Sequence, residues 1–220
     1  MSYKRGLLSR LFPQNGECVP WLRFQGFSGE WTLKELNEIG TTFGGLLGKT
    51  KEDFGHGNAR FVTYMNVFSN PISKLSMIEP IEIDETQNEV KYGDVFFTTS
   101  SETPEEVGMS SVWLGNDLNI YLNSFCFGFR PTVEINHYYL AYLLRSKGIR
   151  DKIILLAQGI SRYNISKNKM LEIEIPIPNI CEQEKIGRMF INIDERIKQS
   201  EETLVRLEVC KKAFLQQMFI

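Results

Sequence analysis

Hydrophobic and polar positions alternate in short stretches through most of the chain and change to a longer period after residue 180. Four stretches are rich in β-branched and aromatic residues and are bounded by Gly, Asn and Pro, which is typical of strands. They are 60–65, 94–99, 110–114 and 125–129. Helical spacing of apolar residues predicts helices over 137–147 and 150–157. Ile173, Ile175 and Ile177 alternate with other residues, which predicts an edge strand that runs into a Pro-punctuated linker.

From Glu182 onward the sequence fits one continuous helix with a heptad repeat. No Gly follows Gly187 and no Pro follows Pro178. The heptad frame gives an apolar seam that only Ser200 and Lys211 interrupt, as in a coiled coil. The apolar seam positions are Ile186, Phe190, Ile193, Ile197, Leu204, Leu207, Phe214 and Met218. We expect a helix of about 55 Å whose seam a partner helix covers. The alternative is an amphipathic helix packed on its own domain.

The patterns together predict an α+β protein in three parts. They are a short N-terminal helix with its linker at 1–20, a mixed α/β domain at 21–179 and the long helix at 180–220. The length of 220 residues, with 42% hydrophobic and 24% charged residues, is ordinary for a globular protein and excludes a disordered or collagen-like chain. Residues 3–12 resemble 210–219, which suggests one unit cut from a tandem array. Chance similarity between two short amphipathic helices is the alternative.

Cysteine spacing and hydropathy bear on the compartment. The four cysteines lie far apart without a C-x-x-C pair, which favours free thiols in a reducing compartment over a zinc ribbon or a disulfide scaffold. No apolar run approaches the roughly 20 residues of a membrane helix, and no signal-peptide pattern is present. We therefore expect a cytoplasmic protein that does not contact membranes.

The chain lacks the motifs of common catalytic sites. There is no G-x-G-x-x-G after a strand, and the Gly-Lys-Thr at 48–50 is not a P-loop because Phe43 stands where the first glycine is needed. Two histidines, His56 and His137, leave few members for a triad or a histidine metal site. We therefore predict no catalytic residue, no metal site and no bound cofactor. A small DNA-modifying or DNA-cleaving enzyme with an unrecognised site remains a rival interpretation, and a structural coiled-coil adaptor is another.

Charge is segregated along the chain although the formal net charge is only −2. Seven basic residues and one acidic residue lie between 141 and 170, whereas nine acidic residues and one basic residue lie between 79 and 106. Basic residues that neutralise phosphates supply most non-specific DNA affinity, and polar side chains read base edges. The candidate DNA-contacting residues are Lys49, Lys51, Thr98, Thr99, Ser100, Arg130, Arg145, Lys147, Arg162, Tyr163, Asn164, Lys167 and Lys169. The alternative is that these segments are ordinary solvated loops.

Several segments in combination resemble the specificity subunits of type I restriction-modification systems. The opening Val19–Trp31 is similar to that family's entry into a target-recognition domain. Tyr92–Ser100 resembles its G-D-[IV]-L-[FV]-[TS]-R-S strand, with Thr99 where an arginine is common. Gln158-Gly159, Asn164–Ser166, Ile173–Pro178 and the Glu182–Ile186 segment resemble the transition into its long helix.

The resemblance implies a function. Subunits of this family carry two target-recognition domains, each of which reads one half of an interrupted DNA sequence. Long helices hold the domains apart and dock modification (methyltransferase) subunits. Those partners use S-adenosylmethionine to methylate adenine, and motor or endonuclease subunits can join. The specificity subunit itself has no catalytic site. This chain departs from the pattern because it has one recognition domain, so we expect a homodimer through the long helix that reads double-stranded DNA.

Overall fold

The computed structural model describes residues 2–14 and 16–218, which form one packed body with a projecting helix. Within these residues the α-helices are α1 (Ser2–Leu11), α2 (Leu36–Ile39), α3 (Tyr64–Ser69), α4 (His137–Leu143), α5 (Lys147–Leu155), α6 (Lys167–Leu171) and α7 (Ile180–Met218). The strands are β1 (Thr32–Glu35), β2 (Gly40–Gly44), β3 (Phe54–Val62), β4 (Ile78–Ile81), β5 (Val95–Thr98), β6 (Ser100–Ser101), β7 (Ser110–Val112), β8 (Ile120–Leu122), β9 (Cys126–Pro131), β10 (Tyr163–Asn164) and β11 (Glu174–Ile177). One-turn 3-10 helices lie at Lys51–Asp53, Leu75–Met77 and Pro104–Glu106.

A four-stranded antiparallel sheet in the order β2-β9-β5-β7 forms the middle layer of the domain. Because side chains alternate between the two faces of a strand, neighbouring phenylalanines of β5 serve different layers. Phe97 stacks on Phe127 at 5.3 Å between ring centroids and packs in the core shared with the helices. Phe96 belongs to a second core with Leu122 of the three-stranded sheet β4-β3-β8. The sheet is therefore covered by helices on one face and by a smaller sheet on the other.

Helices α1, α4 and α7 share one aromatic core. The ring of Phe190 in α7 stacks on Tyr142 of α4 at 4.9 Å and on Phe12, directly after α1, at 5.7 Å. The hydroxyl of Tyr139 donates a hydrogen bond to the carbonyl of Pro176 at 2.6 Å, which ties α4 to β11. The N-terminal helix and the first third of the long helix are thus part of the domain's own core.

The start of α7 is fixed by polar contacts of the Glu182–Ile186 segment. Arg23 donates two hydrogen bonds of 2.8 Å to the carboxylate of Glu182, which is only 1% exposed. The side chain of Gln183 accepts from the amide of Asn136 at 2.9 Å and donates to the carbonyl of Pro178. The Arg23–Glu182 pair is charge-assisted and bidentate, and therefore directional. Together with the contacts of Gln183, it fixes the angle at which the helix leaves the domain.

The α+β class and the long C-terminal helix are confirmed, with α7 running from Ile180 to Met218. The strand predicted over 60–65 begins earlier and stops at Val62, because Thr63 caps α3 by accepting a hydrogen bond from the amide of Asn66. The strand predicted near 173–177 is β11, which pairs antiparallel with β1 in a two-stranded sheet of its own.

One seam along the whole of α7 was predicted, and the structure corrects this. Ile186 and Phe190 are buried against their own domain, so they are not available to a partner helix. Ile193 and Ile197 are half-buried, and every residue from Lys198 to Gln217 is exposed. The exposed apolar residues of the seam are Leu204, Leu207 and Phe214. The side chain of Met218 and the whole of residues 219–220 lie outside the described part of the chain.

Candidate nucleic-acid interface

Two of the polar segments singled out in the sequence lie side by side. Strand β10 pairs antiparallel with β6, with Tyr163 opposite Ser101 and Asn164 opposite Ser100. The amide of Ile165 continues this pairing by donating to the carbonyl of Thr99 at 3.0 Å. The loop before β10 is thereby held at the edge of the domain, next to the end of β5.

The 158–164 loop is a narrow hairpin that projects from this edge. The backbones of Gln158 and Asn164 exchange two hydrogen bonds of 2.9 and 2.8 Å, which close its base. Gly159 has φ of 141°, and a Cβ there would lie 2.0 Å from the carbonyl oxygen of Arg162, so only glycine fits the turn. The tip carries Arg162, which is exposed, and Ile160, which is 96% exposed. The tip of the hairpin therefore exposes a guanidinium and a large apolar side chain to a binding partner.

Side chains around the base of the hairpin extend this surface. The backbone amide and the hydroxyl of Thr99 both donate to the carbonyl of Phe125, at 3.0 and 2.8 Å, and the side chain of Phe125 is 55% exposed. The ammonium of Lys167 lies 5.8 Å from the ring centroid of Phe127 and is exposed to solvent. We define the recognition patch as Thr99, Phe125, Arg162, Asn164 and Lys167.

Phe125 was not among the predicted contact residues, because it was predicted to be the first residue of a strand over 125–129. The strand β9 begins one residue later, at Cys126, so Phe125 stands in the preceding turn. That turn is held by the amide of Phe125, which donates to the side-chain oxygen of Asn123 at 2.8 Å. An Asn two residues before an aromatic is the one signal that predicts such a turn.

A groove of about 460 Å³ opens beside the hairpin. One wall carries Tyr64, whose ring stacks on Phe68 at 5.9 Å and whose hydroxyl donates to the carbonyl of Ser100 at 2.8 Å. Burial raises the pKa of Tyr64, so this hydroxyl stays protonated at neutral pH. Ser161 and Arg162 also line the groove, together with exposed acidic residues at 102 and 106. The groove combines stacked aromatic rings with both donors and acceptors of hydrogen bonds.

The fold removes Arg145 from the set of DNA-contacting candidates. Its guanidinium donates to the carbonyl oxygens of Ser110, Val67, Phe68 and Asn70, at 2.7 to 3.0 Å. Burial lowers its pKa to about 9, with the charge of a second arginine contributing, so it is still protonated at neutral pH. Three of these carbonyls lie at the end of α3 and the fourth, that of Ser110, begins β7. Carbonyl groups buried without donors are costly. Arg145 therefore stabilises the domain through its Nε and Nη2 groups, which are held by these carbonyls and not directed to solvent.

Arg150 is committed in the same way. It donates to the carbonyls of Glu105, Val107 and Gly108 at 2.6 to 2.8 Å. Burial lowers the pKa of Arg150 to about 10. Two of the arginines in the basic stretch at 141–170 are therefore bonded to the protein's own carbonyls. The positive electrostatic potential that this stretch presents to solvent is weaker than the sequence suggested.

Other candidates are placed away from the hairpin or are already paired. Lys49 donates to Asp84 at 2.6 Å, a contact that raises the pKa of Lys49, and Arg130 donates twice to the buried carboxylate of Asp94 at 2.7 Å. Lys51, two residues after Lys49, is exposed and begins a 3-10 turn. Lys147 and Lys169 are exposed but form surface ion pairs. Lys147 pairs with Asp151 within α5, and Lys169 pairs with Glu172, the residue that follows α6; such pairs hold a lysine only weakly.

Two hydroxyl candidates point into the protein. Thr98 is fully buried, and its hydroxyl oxygen accepts a hydrogen bond from the amide of Met109 at 3.0 Å. Ser100 is 6% exposed. Because strand side chains alternate, Thr99 between them faces outward. Of the three residues predicted on this strand end, only Thr99 can present its side chain to a ligand.

Neither a metal cluster nor a membrane span occurs within the described residues. No group of three or more His, Cys, Asp and Glu side chains is arranged to hold a metal ion in residues 2–14 and 16–218. Over the same residues, no helix is both long and apolar enough to cross a bilayer.

Comparison of the sequence with known proteins identifies relatives of this chain. The sequence profile of the type I restriction modification DNA specificity domain matches residues 28–209. A putative type I restriction enzyme MjaX specificity subunit of Methanocaldococcus jannaschii is 24% identical over 195 residues, which are 86% of this chain and 45% of that protein. The chain spans about half the length of the relatives it matches.

Solved structures show a similar fold. One, reported as the structural basis underlying complex assembly and conformational transition of the type I R-M system, aligns with a TM-score of 0.66 at 17% identity, over 94% of this chain and 47% of that one. The HsdS subunit from Thermoanaerobacter tengcongensis aligns with a TM-score of 0.59 at 16% identity, over 92% of this chain and 45% of its own. Both similarities extend over nearly the whole of this chain.

Proposed function

The chain belongs to the type I restriction modification DNA specificity domain family, and on that basis we propose that it reads one half of a bipartite DNA target for a type I restriction-modification complex. The observation that carries this proposal is the projecting hairpin, whose tip holds the exposed Arg162 and whose base is hydrogen-bonded to Thr99 through the amide of Ile165. A B-DNA major groove about 12 Å wide admits a two-stranded ribbon of this kind.

Within the recognition patch, some residues are suited to contact base edges and others to contact the DNA phosphate backbone. Arg162 lies at the tip, where its planar fork of donors can bind the two acceptors of a guanine edge. Lys167 lies on α6, behind the hairpin, and as a point charge it suits a phosphate oxygen. Tyr163 is half-buried by its pairing with Ser101, so it supports the hairpin and presents only part of its ring.

In this proposal the chain is not itself an enzyme. The methyl transfer belongs to modification subunits that bind S-adenosylmethionine, and motor or endonuclease subunits add cleavage. The exposed half of α7 and the apolar grooves along its sides support docking of such helical partners. A homodimer through α7 would bring two recognition patches to one DNA molecule, and a two-fold pair would read an interrupted palindrome.

The test is a comparison of methylated adenines in cells with and without the gene for this chain, in the presence of its modification subunits. We expect one bipartite motif to lose methylation without the gene and to regain it when the wild-type gene returns. An Arg162→Ala gene should restore methylation at a different or relaxed motif. A methylation pattern that does not depend on the gene would contradict the proposed function.

A further inference from the structure

We propose that a second copy of this chain pairs with α7 in one antiparallel register, in which Leu204 faces the second copy's Leu207 and the second copy's Phe214 fills the groove between α1 and α7. This inference rests on the proposed homodimer and specifies its interface. Four observations support it: where burial of α7 ends, where its polar seam positions fall, where the groove lies, and which charges flank the seam.

The first observation is the limit of burial. Phe190 is 0% exposed, so no partner helix can reach the seam before it. The available seam therefore begins at Ile193, which is half-buried. An antiparallel pair that matches Ile193 with the predicted seam position 218 has its two-fold axis midway, between residues 205 and 206. At about 1.5 Å per residue the shared segment is about 39 Å long.

The second observation concerns the two polar residues of the seam. In an antiparallel coiled coil a positions face d positions, so allowed registers differ by whole heptads. With the axis between 205 and 206, Ser200 faces Lys211 of the second copy, and Leu204 faces Leu207. A shift of one heptad in either direction places Lys211 against Ile193 or against Leu207. Only the proposed register lets polar residues face polar residues and apolar residues face apolar ones.

The third observation is a groove of about 450 Å³ at the junction of α1 and α7. Tyr3, Ile193 and Ile197 form its apolar lining. An ion pair between Lys4 and Asp194 holds α1 against α7 and keeps the groove in shape. In the proposed register Ile197 faces the second copy's Phe214, which is 66% exposed in a single chain. An exposed aromatic ring and an open apolar groove are thereby brought together twice, once at each end of the pair.

The fourth observation is the charge beside the seam. Glu201 follows Ser200 directly and is exposed. Lys211 of the second copy, facing Ser200, comes within reach of this carboxylate. A lysine in a seam position can extend its charged end to the flank while its methylene stem covers apolar surface. The polar layer therefore fixes the register with a partner for each charge, at some cost in stability.

The register is tested by disulfide formation between two singly substituted chains, both carrying Cys210→Ser to remove the exposed cysteine of this segment. Mixing Ile197→Cys with Phe214→Cys reports the proposed register. Mixing Ile197→Cys with Leu207→Cys, or Leu204→Cys with Phe214→Cys, reports the registers one heptad to either side. A disulfide needs Cα atoms within about 7 Å, so only facing positions should cross-link.

We expect covalent dimer from the first mixture after mild oxidation, at least tenfold above the other two. Light scattering on the uncross-linked protein at tens of micromolar, alone and with modification subunits, separates the two levels of the proposal. A dimer that cross-links through another pair overturns the register and leaves the homodimer standing. A chain that stays monomeric overturns both, and α7 then serves a modification subunit or a second half-subunit of different sequence.

Discussion

Ile165 and Thr99 are joined by a backbone hydrogen bond of 3.0 Å that links the hairpin at 158–164 to the end of β5. The two residues are far apart in sequence, and this contact holds the base of the hairpin against the end of that strand. Arg162 and Lys167 lie on either side of Ile165, at the tip and behind the base of the hairpin. Their different positions predict different consequences of substitution.

Arg162→Ala is expected to change which sequences are recognised. A bidentate arginine contact to a guanine contributes roughly 1–3 kcal/mol of discrimination, so its loss should relax one position of the methylated motif. The measurement is the motif methylated by the complex of this chain with its modification subunits. If the motif stays the same and only the yield falls, Arg162 contacts the backbone.

Lys167→Ala is the matched control, with an opposite signature. Loss of one phosphate contact should weaken binding to all sequences alike and reduce the salt dependence of the complex's DNA affinity by about one unit of slope. The motif should not change. Equal slopes for Lys167→Ala and the wild type over a series of salt concentrations would remove Lys167 from the interface.

Arg145→Ala is expected to destabilise the protein. Four buried carbonyls lose a charged donor, and each unsatisfied group costs about 1–3 kcal/mol, so the free energy of unfolding should fall by about 3 kcal/mol or more. Lys147→Ala on the same basic stretch removes only a surface ion pair and should cost under about 1 kcal/mol. Urea denaturation of both variants makes the comparison. A stable Arg145→Ala variant with weakened DNA binding would return Arg145 to the interface.

These contrasts show what the sequence could and could not predict. The long helix and most strands follow from local periodicity, which is written in consecutive residues. The inward direction of Arg145 and Arg150 does not follow from local periodicity, because it depends on which carbonyls the tertiary fold leaves without partners. Loops from residues near 70 and 107 supply those carbonyls. Counting charges along the chain therefore overestimated the basic surface, and Phe125 was overlooked because strand ends are uncertain by a residue or two.

Arg23→Ala is expected to loosen the start of α7. It leaves the carboxylate of Glu182 buried without its bidentate partner, and breaking a buried pair typically costs about 3–5 kcal/mol. Lys198→Ala, which removes an exposed pair with Glu202 further along the same helix, should cost under about 1 kcal/mol. Restoration of stability in Arg23→Ala by a further Glu182→Gln change would identify the buried charge as the cause. Equal losses for the Arg23 and Lys198 variants would contradict this account.

Phe190 and Phe214 occupy the same predicted seam, yet the structure separates their functions. Phe190→Ala removes a ring stacked between Phe12 and Tyr142, so we expect about 3–5 kcal/mol less stability for a dilute, monomeric sample. Phe214→Ala removes a ring that its own domain does not cover, and unfolding of the dilute sample should change by under about 0.5 kcal/mol.

For the assembly of two copies we expect the reverse order, with Phe214→Ala causing the larger effect. The proposed dimer loses two rings from apolar grooves when Phe214 is replaced, so its dissociation constant should rise by tenfold or more. The measurement is sedimentation or light scattering across a concentration series. Because the same Phe→Ala change is made at both positions of one helix, the gain in helix propensity that alanine brings would affect both variants alike. A Phe214→Ala protein that dimerises as tightly as the wild type would place that ring outside the interface.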